Sequence, residues 1–202
     1  MKAAAIILAG GKSSRMGTNK ALLKINEKPN IERTIDKLKL LFDDIILVTN
    51  DSEQYESLGV RIVPDQYPGM GPLAGVHAGL TASEYDVNFV VACDMPFVSG
   101  ELAEVLISNA LHYDAVVPVI NGKQHPLFAM FQKQTAAKVE QSIQAGQLRM
   151  KQLLDELNVL YLTERELGAY TPIELEKVFY NMNYPEEYEE AKSWAESKFP
   201  NL

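Results

Sequence analysis

Apolar and polar positions along the chain follow two alternating patterns. Short continuous apolar runs, typical of strands buried on both faces, occupy residues 3–9, 45–49, 60–63, 89–93, 115–119, 127–131 and 159–162. Between them, apolar side chains recur at helical spacing, and helices are predicted over residues 30–42, 73–82, 100–111, 148–157 and 185–199 and in the stretch that ends near residue 146. Ser99 is predicted to cap one of these helices. The alternation predicts an α/β sandwich with a mainly parallel sheet.

Composition narrows the class of protein. The 202 residues are 47% apolar and 23% charged, which is ordinary for a globular protein and predicts a single domain over residues 1–202. A net charge of −8 disfavours binding to nucleic acid or to an anionic membrane. The apolar run at residues 3–9 is too short to span a bilayer, and a cytoplasmic protein is expected. Cys93 is the single cysteine, which excludes an internal disulfide.

The charge is unevenly distributed along the chain. Residues 2–28 hold six basic side chains and one acidic side chain, whereas the rest of the chain holds 13 basic and 26 acidic side chains. A basic N-terminal segment with a net charge of +5 therefore precedes an acidic body with a net charge of −13. This pattern is either a solvated basic face or a local site for an anion such as a phosphate.

The first loop, residues 8–20, reads LAGGKSSRMGTNK and follows the first predicted strand. In open parallel sheets ligands bind beyond the carboxyl ends of the strands, and the adjacent Gly10 and Gly11 let backbone N–H groups approach an anion closely. The loop is not a P-loop, because the first glycine of that motif would fall at Ile6. Nor is it a dinucleotide fingerprint, because Lys12 stands where the second glycine is needed.

Polar residues also follow three other predicted strands. Asn50 and Asp65 end the runs at residues 45–49 and 60–63, and Asp94 directly follows the run at residues 89–93. Carboxylate oxygens at such strand ends suit Mg²⁺, which uses one or two carboxylates together with phosphates and water. All three residues are also common turn or cap residues, so the pattern alone leaves both interpretations open.

Residues 8–20 closely resemble the signature L-A-G-G-x-S-x-R-M-G-x-x-K of the nucleotidyltransferases that build the molybdenum cofactor. The resemblance implies a Rossmann-like three-layer α/β/α sandwich of the nucleotide-diphospho-sugar transferase type. It implies a catalytic group of Arg15, Lys20 and Asp94, with Asp94, in a D-x-P segment, as the ligand of a Mg²⁺ cofactor. It further implies nucleotide contacts from Leu8, Ala9, Gly10, Gly11, Lys20, Asn50, Asp65 and Asp94.

Two further segments extend the resemblance. Residues 71–75 read GPLAG, as in the guanylyltransferase branch of that family. Residues 181–186 read NMNYPE, which is similar to the family's N-x-N-T-P-E except that Tyr184 replaces the threonine. Asn181 and Asn183, at i and i+2, are expected to point to one face and to bind the acceptor; a bridge to a metal, or a turn that enters the last helix, stays open. His125 and Arg149 are weaker candidates for the acceptor side.

The resemblance implies transfer of GMP from GTP to molybdenum-bearing molybdopterin, which yields the guanine dinucleotide cofactor and pyrophosphate. The protein is expected to act as a monomer and to make transient contacts with other proteins of the molybdenum cofactor pathway. Two alternatives stay open: a cytidylyltransferase or another nucleotidyltransferase with a different phosphorylated acceptor, and a regulator that binds a nucleotide without turnover.

Overall fold

The fold is built around a central β-sheet. The computed structural model describes residues 2–10, 19–169 and 174–197, and all statements below concern these residues. The strands are β1 (Ala4–Leu8), β2 (Lys24–Ile25), β3 (Lys28–Pro29), β4 (Asp44–Val48), β5 (Arg61–Val63), β6 (Val87–Ala92), β7 (Ala115–Ile120), β8 (Lys123–Gln124), β9 (Phe128–Gln132) and β10 (Val159–Thr163). The main sheet runs in the order β5–β4–β1–β6–β9–β7–β10, with β8 paired to β7.

The sheet is mainly parallel, as predicted. The β4–β5, β1–β4, β1–β6 and β7–β10 pairs are parallel, whereas β9 is antiparallel to both of its neighbours, β6 and β7. Strands β2 and β3 form a separate two-stranded hairpin. The carboxyl ends of β5, β4, β1 and β6 consequently lie at the same edge of the sheet.

Helices cover both faces of the sheet, which confirms the three-layer sandwich. They are α1 (Asn30–Lys39), α2 (Pro72–Ala82), α3 (Gly100–Ser108), α4 (Ala136–Gln144), α5 (Met150–Asp155), α6 (Glu164–Gly168), α7 (Leu175–Val178) and α8 (Pro185–Ser197). In β1, Ala5 and Ile7 face the core shared with α1 and α3, while Ala4, Ile6 and Leu8 face the core shared with α2, α4 and α5. This burial on both faces explains why the strand is a continuous apolar run.

The larger elements agree with the predicted ones within a few residues. The Ser99 side chain accepts a hydrogen bond from the Leu102 N–H at 3.2 Å, which confirms the predicted cap of α3. That helix ends at Ser108 rather than at residue 111. The hairpin β2–β3, strand β8 and the short helices α6 and α7 were not predicted, because two to five residues are too few to show a period.

Backbone hydrogen bonds between adjacent strands continue one residue beyond the strand ends. The N–H groups of Thr49, Ala9 and Cys93 donate to the carbonyl oxygens of Val63, Val48 and Leu8 at 3.0, 3.0 and 3.1 Å. The loops that follow β4, β1 and β6 therefore leave the sheet side by side and border one crevice. Among the described residues, no helix has the length and apolar character needed to cross a membrane.

Candidate functional site

A crevice of about 1000 Å³ opens at this edge of the sheet. Seven residues expected at the nucleotide site line it: Leu8, Ala9, Gly10, Lys20, Asn50, Asp65 and Asp94. The crevice is also lined by Asn19, Tyr55 and the segment that leads into α2. Two other predicted residues, Gly11 and Arg15, lie outside the described part of the chain.

The crevice runs across the sheet. Asp65 follows β5 at one end and Asp94 follows β6 at the other, with the ends of β4 and β1 between them. Three strand spacings of ~4.8 Å separate β5 from β6, which gives a length of ~14 Å. The crevice is therefore long enough for an extended nucleotide, with the Lys20–Asp94 pair at one end and Asp65 at the other.

Lys20 lies between two polar groups at the β6 end. Its Nζ donates to Asn183 Oδ1 at 2.8 Å and lies 3.9 Å from Asp94 Oδ2. The lysine and aspartate side chains are 17% and 24% exposed, so solvent screens this ion pair only in part. The structure thus brings together one cation, one carboxylate and one amide from three distant parts of the sequence.

The position of Lys20 is set by the residue before it. Asn19 Oδ1 accepts from the Ala21 N–H at 3.1 Å, which caps the short turn that carries Lys20. Asn19 Nδ2 donates to the hydroxyl of Tyr55 at 2.7 Å and to Gln54 Oε1 at 2.9 Å. Sequence reasoning missed Asn19 and Tyr55, because Asn19 occupies a variable position of the loop signature and Tyr55 lies in no motif.

The main chain on both sides of Asp94 is fixed by hydrogen bonds. The buried Asn30 donates from Nδ2 to the Cys93 carbonyl oxygen at 2.8 Å, and the Met182 N–H donates to the Asp94 carbonyl oxygen at 2.9 Å. The Asp94 side chain keeps one buried oxygen, Oδ1, without a hydrogen-bond partner. That carboxylate is consequently held in place with an acceptor available to a ligand.

Burial raises the pKa of Asp94 above its ordinary value, and the nearby Glu187 raises it further, while Lys20 acts in the opposite direction. A cation bound at Asp94 would relieve this cost, because it would favour the charged carboxylate. The described residues contain no cluster of three or more His, Cys, Asp or Glu side chains able to hold a metal. A single carboxylate with an unpartnered oxygen still fits Mg²⁺, which takes its other ligands from phosphates and water.

At the other end of the crevice, one hydrogen bond joins the loop of Asn50 to that of Asp65, and a second closes a turn at Asp65. Asn50 Oδ1 accepts from the Asp65 N–H at 2.8 Å, and Asp65 Oδ1 accepts from the Tyr67 N–H at 2.6 Å. Both residues also line the crevice. The turn and ligand interpretations are compatible for Asp65, whereas Asn50 bonds across to the next loop; each side chain uses one oxygen in these bonds and retains a second polar atom.

The structure separates the two asparagines expected at the acceptor side. Asn183 contacts Lys20, whereas Asn181 Nδ2 donates to the Phe179 carbonyl oxygen at 3.2 Å. Neither is among the described residues that line the crevice. The Glu187 carboxylate accepts from the backbone N–H groups of Asn183 and Tyr184, so it caps the start of α8 without the usual threonine.

Two further groups near the crevice are uncharged. The His125 ring packs on the Phe179 ring at a centroid distance of 4.6 Å, and burial together with Lys123 lowers the pKa of His125 to about 4. Burial, with Asp94 nearby, raises the pKa of the Cys93 thiol to about 12. His125 is therefore neutral at physiological pH and offers no cation to a phosphate, and Cys93 is a thiol rather than a nucleophilic thiolate.

Comparison with known proteins agrees with this geometry. The family model described as "MobA-like NTP transferase domain" matches residues 5–160. A protein of Pelotomaculum thermopropionicum named "Probable molybdenum cofactor guanylyltransferase" is 36% identical over 197 residues, which cover 98% of this chain and 95% of the relative. A protein of the same name from Peptoclostridium acidaminophilum is 35% identical over 204 residues, which cover 98% of this chain and 91% of the relative.

A solved structure supports the same assignment. The molybdopterin-guanine dinucleotide biosynthesis protein A from Archaeoglobus fulgidus is 28% identical, with a TM-score of 0.82, and the match covers 98% of this chain and 100% of the other. The family resemblance that the first loop indicated is thereby confirmed, and it extends over nearly the whole chain. The relatives that match are named molybdenum cofactor guanylyltransferases. The chain belongs to the MobA-like NTP transferase family and is a nucleotidyltransferase.

Proposed function

We propose that this protein transfers GMP from GTP to molybdenum-bearing molybdopterin and releases pyrophosphate. The names of its relatives and the GPLAG segment at residues 71–75 support guanine as the base. The observation that carries the proposal is the position of Lys20 between Asp94 and Asn183 at the end of a nucleotide-sized crevice. A cation beside an incompletely satisfied carboxylate is suited to a triphosphate, because both phosphate charge and a phosphate-bound cation find a partner there.

The reaction needs no protein nucleophile. An oxygen of the acceptor phosphate, already ionised at neutral pH, attacks the α-phosphorus of GTP in line with the bridging oxygen to the β-phosphorus. The new phosphorus–oxygen bond forms as that bridging bond breaks, and pyrophosphate leaves with the electron pair. The work of the protein is therefore to position the two substrates and to stabilise negative charge on the phosphate oxygens.

The charged residues divide this work. Lys20 donates to phosphate oxygens once it turns from Asn183 toward the nucleotide, and Arg15 is assigned the same role from the first loop. Enzymes of this family generally use a divalent metal ion, which neutralises phosphate charge when bound. We assign this ion as Mg²⁺ and its protein ligand as Asp94, because the unpartnered Oδ1 is the oxygen donor that Mg²⁺ prefers.

The remaining crevice residues are assigned to binding. The first loop, with Leu8, Ala9, Gly10 and Gly11, lies along the nucleotide. Asn50 and Asp65 serve the nucleoside half, since they lie at the end of the crevice opposite Lys20. Asn183 serves the acceptor, and Asn181 supports it through the turn that precedes α8.

The organisation of the protein is part of the same proposal. Residues 1–202 form one nucleotidyltransferase domain that acts as a monomer in the cytoplasm. It takes GTP and molybdopterin as small-molecule substrates, binds neither nucleic acid nor membrane, and contacts other molybdenum cofactor proteins only transiently.

Pyrophosphate release tests the proposed function directly. The purified protein is incubated with Mg²⁺ and each of the four common nucleoside triphosphates, with and without molybdenum-bearing molybdopterin. We expect release with GTP only and only in the presence of the acceptor. Release with CTP would show the cytidylyl reaction instead, and GTP binding without release would show a regulator.

A further inference from the structure

We propose that Tyr67 and Glu140 form a strap that fixes the base-side loop, residues 68–71, and thereby sets which nucleobase the crevice accepts. The inference deepens the proposed function, since it names positioning residues for the nucleotide half of the same site. Neither Tyr67 nor Glu140 lies among the described residues that line the crevice, so both act through the loop rather than by touching the nucleotide.

The strap joins the loop to the helical layer below it. The Tyr67 hydroxyl donates to Glu140 Oε1 on α4 at 2.6 Å, and Gln144, one helical turn further along α4, also bonds to the phenol. The Tyr67 ring meets the ring of His77 on α2 edge-on, at a centroid distance of 5.3 Å. His77 is 5% exposed and Glu140 is half-buried, so the phenol is seated between two packed helices.

The base-side loop has few anchors of its own. Pro68, Gly69 and Gly71 line the crevice, yet a proline has no N–H to donate and a glycine has no side chain to pack. Gly69 and Gly71 have φ angles of +84° and +70°, which other residues rarely adopt. The loop is instead held by the residue that precedes it, Tyr67, whose carbonyl oxygen accepts from the Met70 N–H at 3.2 Å.

The other end of the loop is fixed where α2 begins at Pro72. Between these points, the polar atoms that the crevice-lining residues of the loop offer to a base are backbone groups. Discrimination between bases depends on paired hydrogen bonds, and a small displacement leaves buried groups unpaired. A loosened strap is therefore expected to reduce base selectivity while the triphosphate contacts of Lys20, at the other end of the crevice, persist.

Two variants and two controls isolate the hydrogen bond. Tyr67→Phe keeps the ring against His77 and removes the donor, and Glu140→Ala removes the acceptor. Glu140→Gln retains an oxygen that can accept from the phenol and serves as the conservative control. Tyr161→Phe removes a hydroxyl from β10, at the opposite edge of the sheet, and controls for loss of a tyrosine hydroxyl in general.

Calorimetry on the full chain measures the affinity for each of the four nucleoside triphosphates and for tripolyphosphate, which has no base. We expect the ratio between the preferred and the other nucleotides to fall ~10-fold in Tyr67→Phe and Glu140→Ala, the loss typical of one hydrogen bond to a charged group. Tripolyphosphate affinity should stay unchanged, and both controls should keep the selectivity of the unmodified protein.

An unchanged selectivity ratio with a lower melting temperature would overturn the proposal, since the strap would then serve stability alone. Equal weakening of tripolyphosphate and nucleotides would also overturn it, because the effect would not be confined to the base. The selectivity ratio compares whichever nucleotide the unmodified protein prefers with the other three. A preference for CTP would therefore refute the guanylyl assignment, while the effect of the variants on the ratio would still test the strap. Equal affinity for all four nucleotides would overturn both.

Discussion

Replacement of Asp94 by asparagine separates the catalytic use of this carboxylate from its effect on stability. The change preserves the shape of the side chain and removes its negative charge. Asp94 is 24% exposed, lies 3.9 Å from Lys20 Nζ and has its Oδ1 buried without a partner. These facts predict opposite outcomes for activity and for stability.

The sign of the stability effect follows from the raised pKa of Asp94, for which burial is the main cause. An acid with a raised pKa stabilises the fold below its ordinary pKa, and this contribution is lost as pH rises through the raised value. At pH 7 the charged carboxylate therefore costs stability. Asp94→Asn removes that cost, and Lys20 keeps Asn183 as a hydrogen-bond acceptor.

Asp94→Asn is therefore expected to raise the melting temperature at pH 7. Thermal melts at pH 7 and at about pH 4, near the ordinary pKa of a carboxyl group, measure it. The difference between variant and unmodified protein should shrink at the lower pH, because the carboxyl of the unmodified protein is then protonated.

Activity should change in the other direction. Loss of the carboxylate that we assign to Mg²⁺ is expected to lower pyrophosphate release ~10²-fold or more, by analogy with removal of one group that stabilises transition-state charge. Activity within threefold of the unmodified protein at saturating Mg²⁺ would refute the assignment of Asp94. A lower melting temperature at pH 7 would refute the argument from burial.

Three other substitutions, together with one control, test the site and the fold. Lys20→Ala should lower kcat/KM in the pyrophosphate assay ~10²-fold, because a charge-assisted contact to the phosphate is lost, whereas the exposed Lys24→Ala should have little effect. Asn183→Ala should weaken the use of molybdopterin while GTP affinity, measured by calorimetry, stays close to that of the unmodified protein. Gly79→Ala should destabilise the protein by ~1–3 kcal/mol in urea unfolding, because the added Cβ would lie 2.3 Å from Ile6 Cγ2, where α2 packs on β1.

Each of these outcomes has a clear opposite. Equal effects of the two lysine substitutions would show that the basic segment contributes a general positive potential rather than a specific contact from Lys20. A loss of GTP affinity in Asn183→Ala with acceptor use retained would place that amide in the nucleotide site. Unchanged stability of Gly79→Ala would show that the contact between α2 and β1 relaxes without cost.

The central strands could be predicted from the sequence because they are buried on both faces. A run such as residues 3–9 is apolar at every position, so strand and extent follow directly. The same property hides strand direction, since a continuous apolar run has no polar face to orient it. The antiparallel insertion of β9 between β6 and β7 was for this reason not foreseen.

The site was predictable where it depends on strand ends. Asn50, Asp65 and Asp94 follow the parallel strands β4, β5 and β6, whose carboxyl ends lie at one edge of the sheet, so the topology alone gathers them into one crevice. The i, i+2 spacing of Asn181 and Asn183 was a weaker guide, because a local hydrogen bond to Phe179 turns one amide away from Lys20. Contacts between distant segments, such as that of Asn19 with Tyr55, leave no periodic trace in a sequence.

The C-terminal segment completes the site by packing against the segment that carries Lys20. The matched family region ends at residue 160, yet the Met182 N–H donates to the Asp94 carbonyl oxygen and Asn183 receives Lys20. Helix α8 buries Ala191 and Ala195 in one cluster with Ile25 of the β2–β3 hairpin.

The hydroxyl of Tyr188, on α8, donates to the Lys24 carbonyl oxygen in that hairpin at 2.8 Å. Because this hairpin follows Lys20 by a few residues, the packing that holds α8 also sets the distance between the lysine and the Asn183 amide. The nucleotide half of the crevice is thus built within residues 5–160, whereas the amide assigned to the acceptor is supplied by a segment outside them. Loss of this packing is therefore expected to weaken the use of the acceptor more than the binding of the nucleotide.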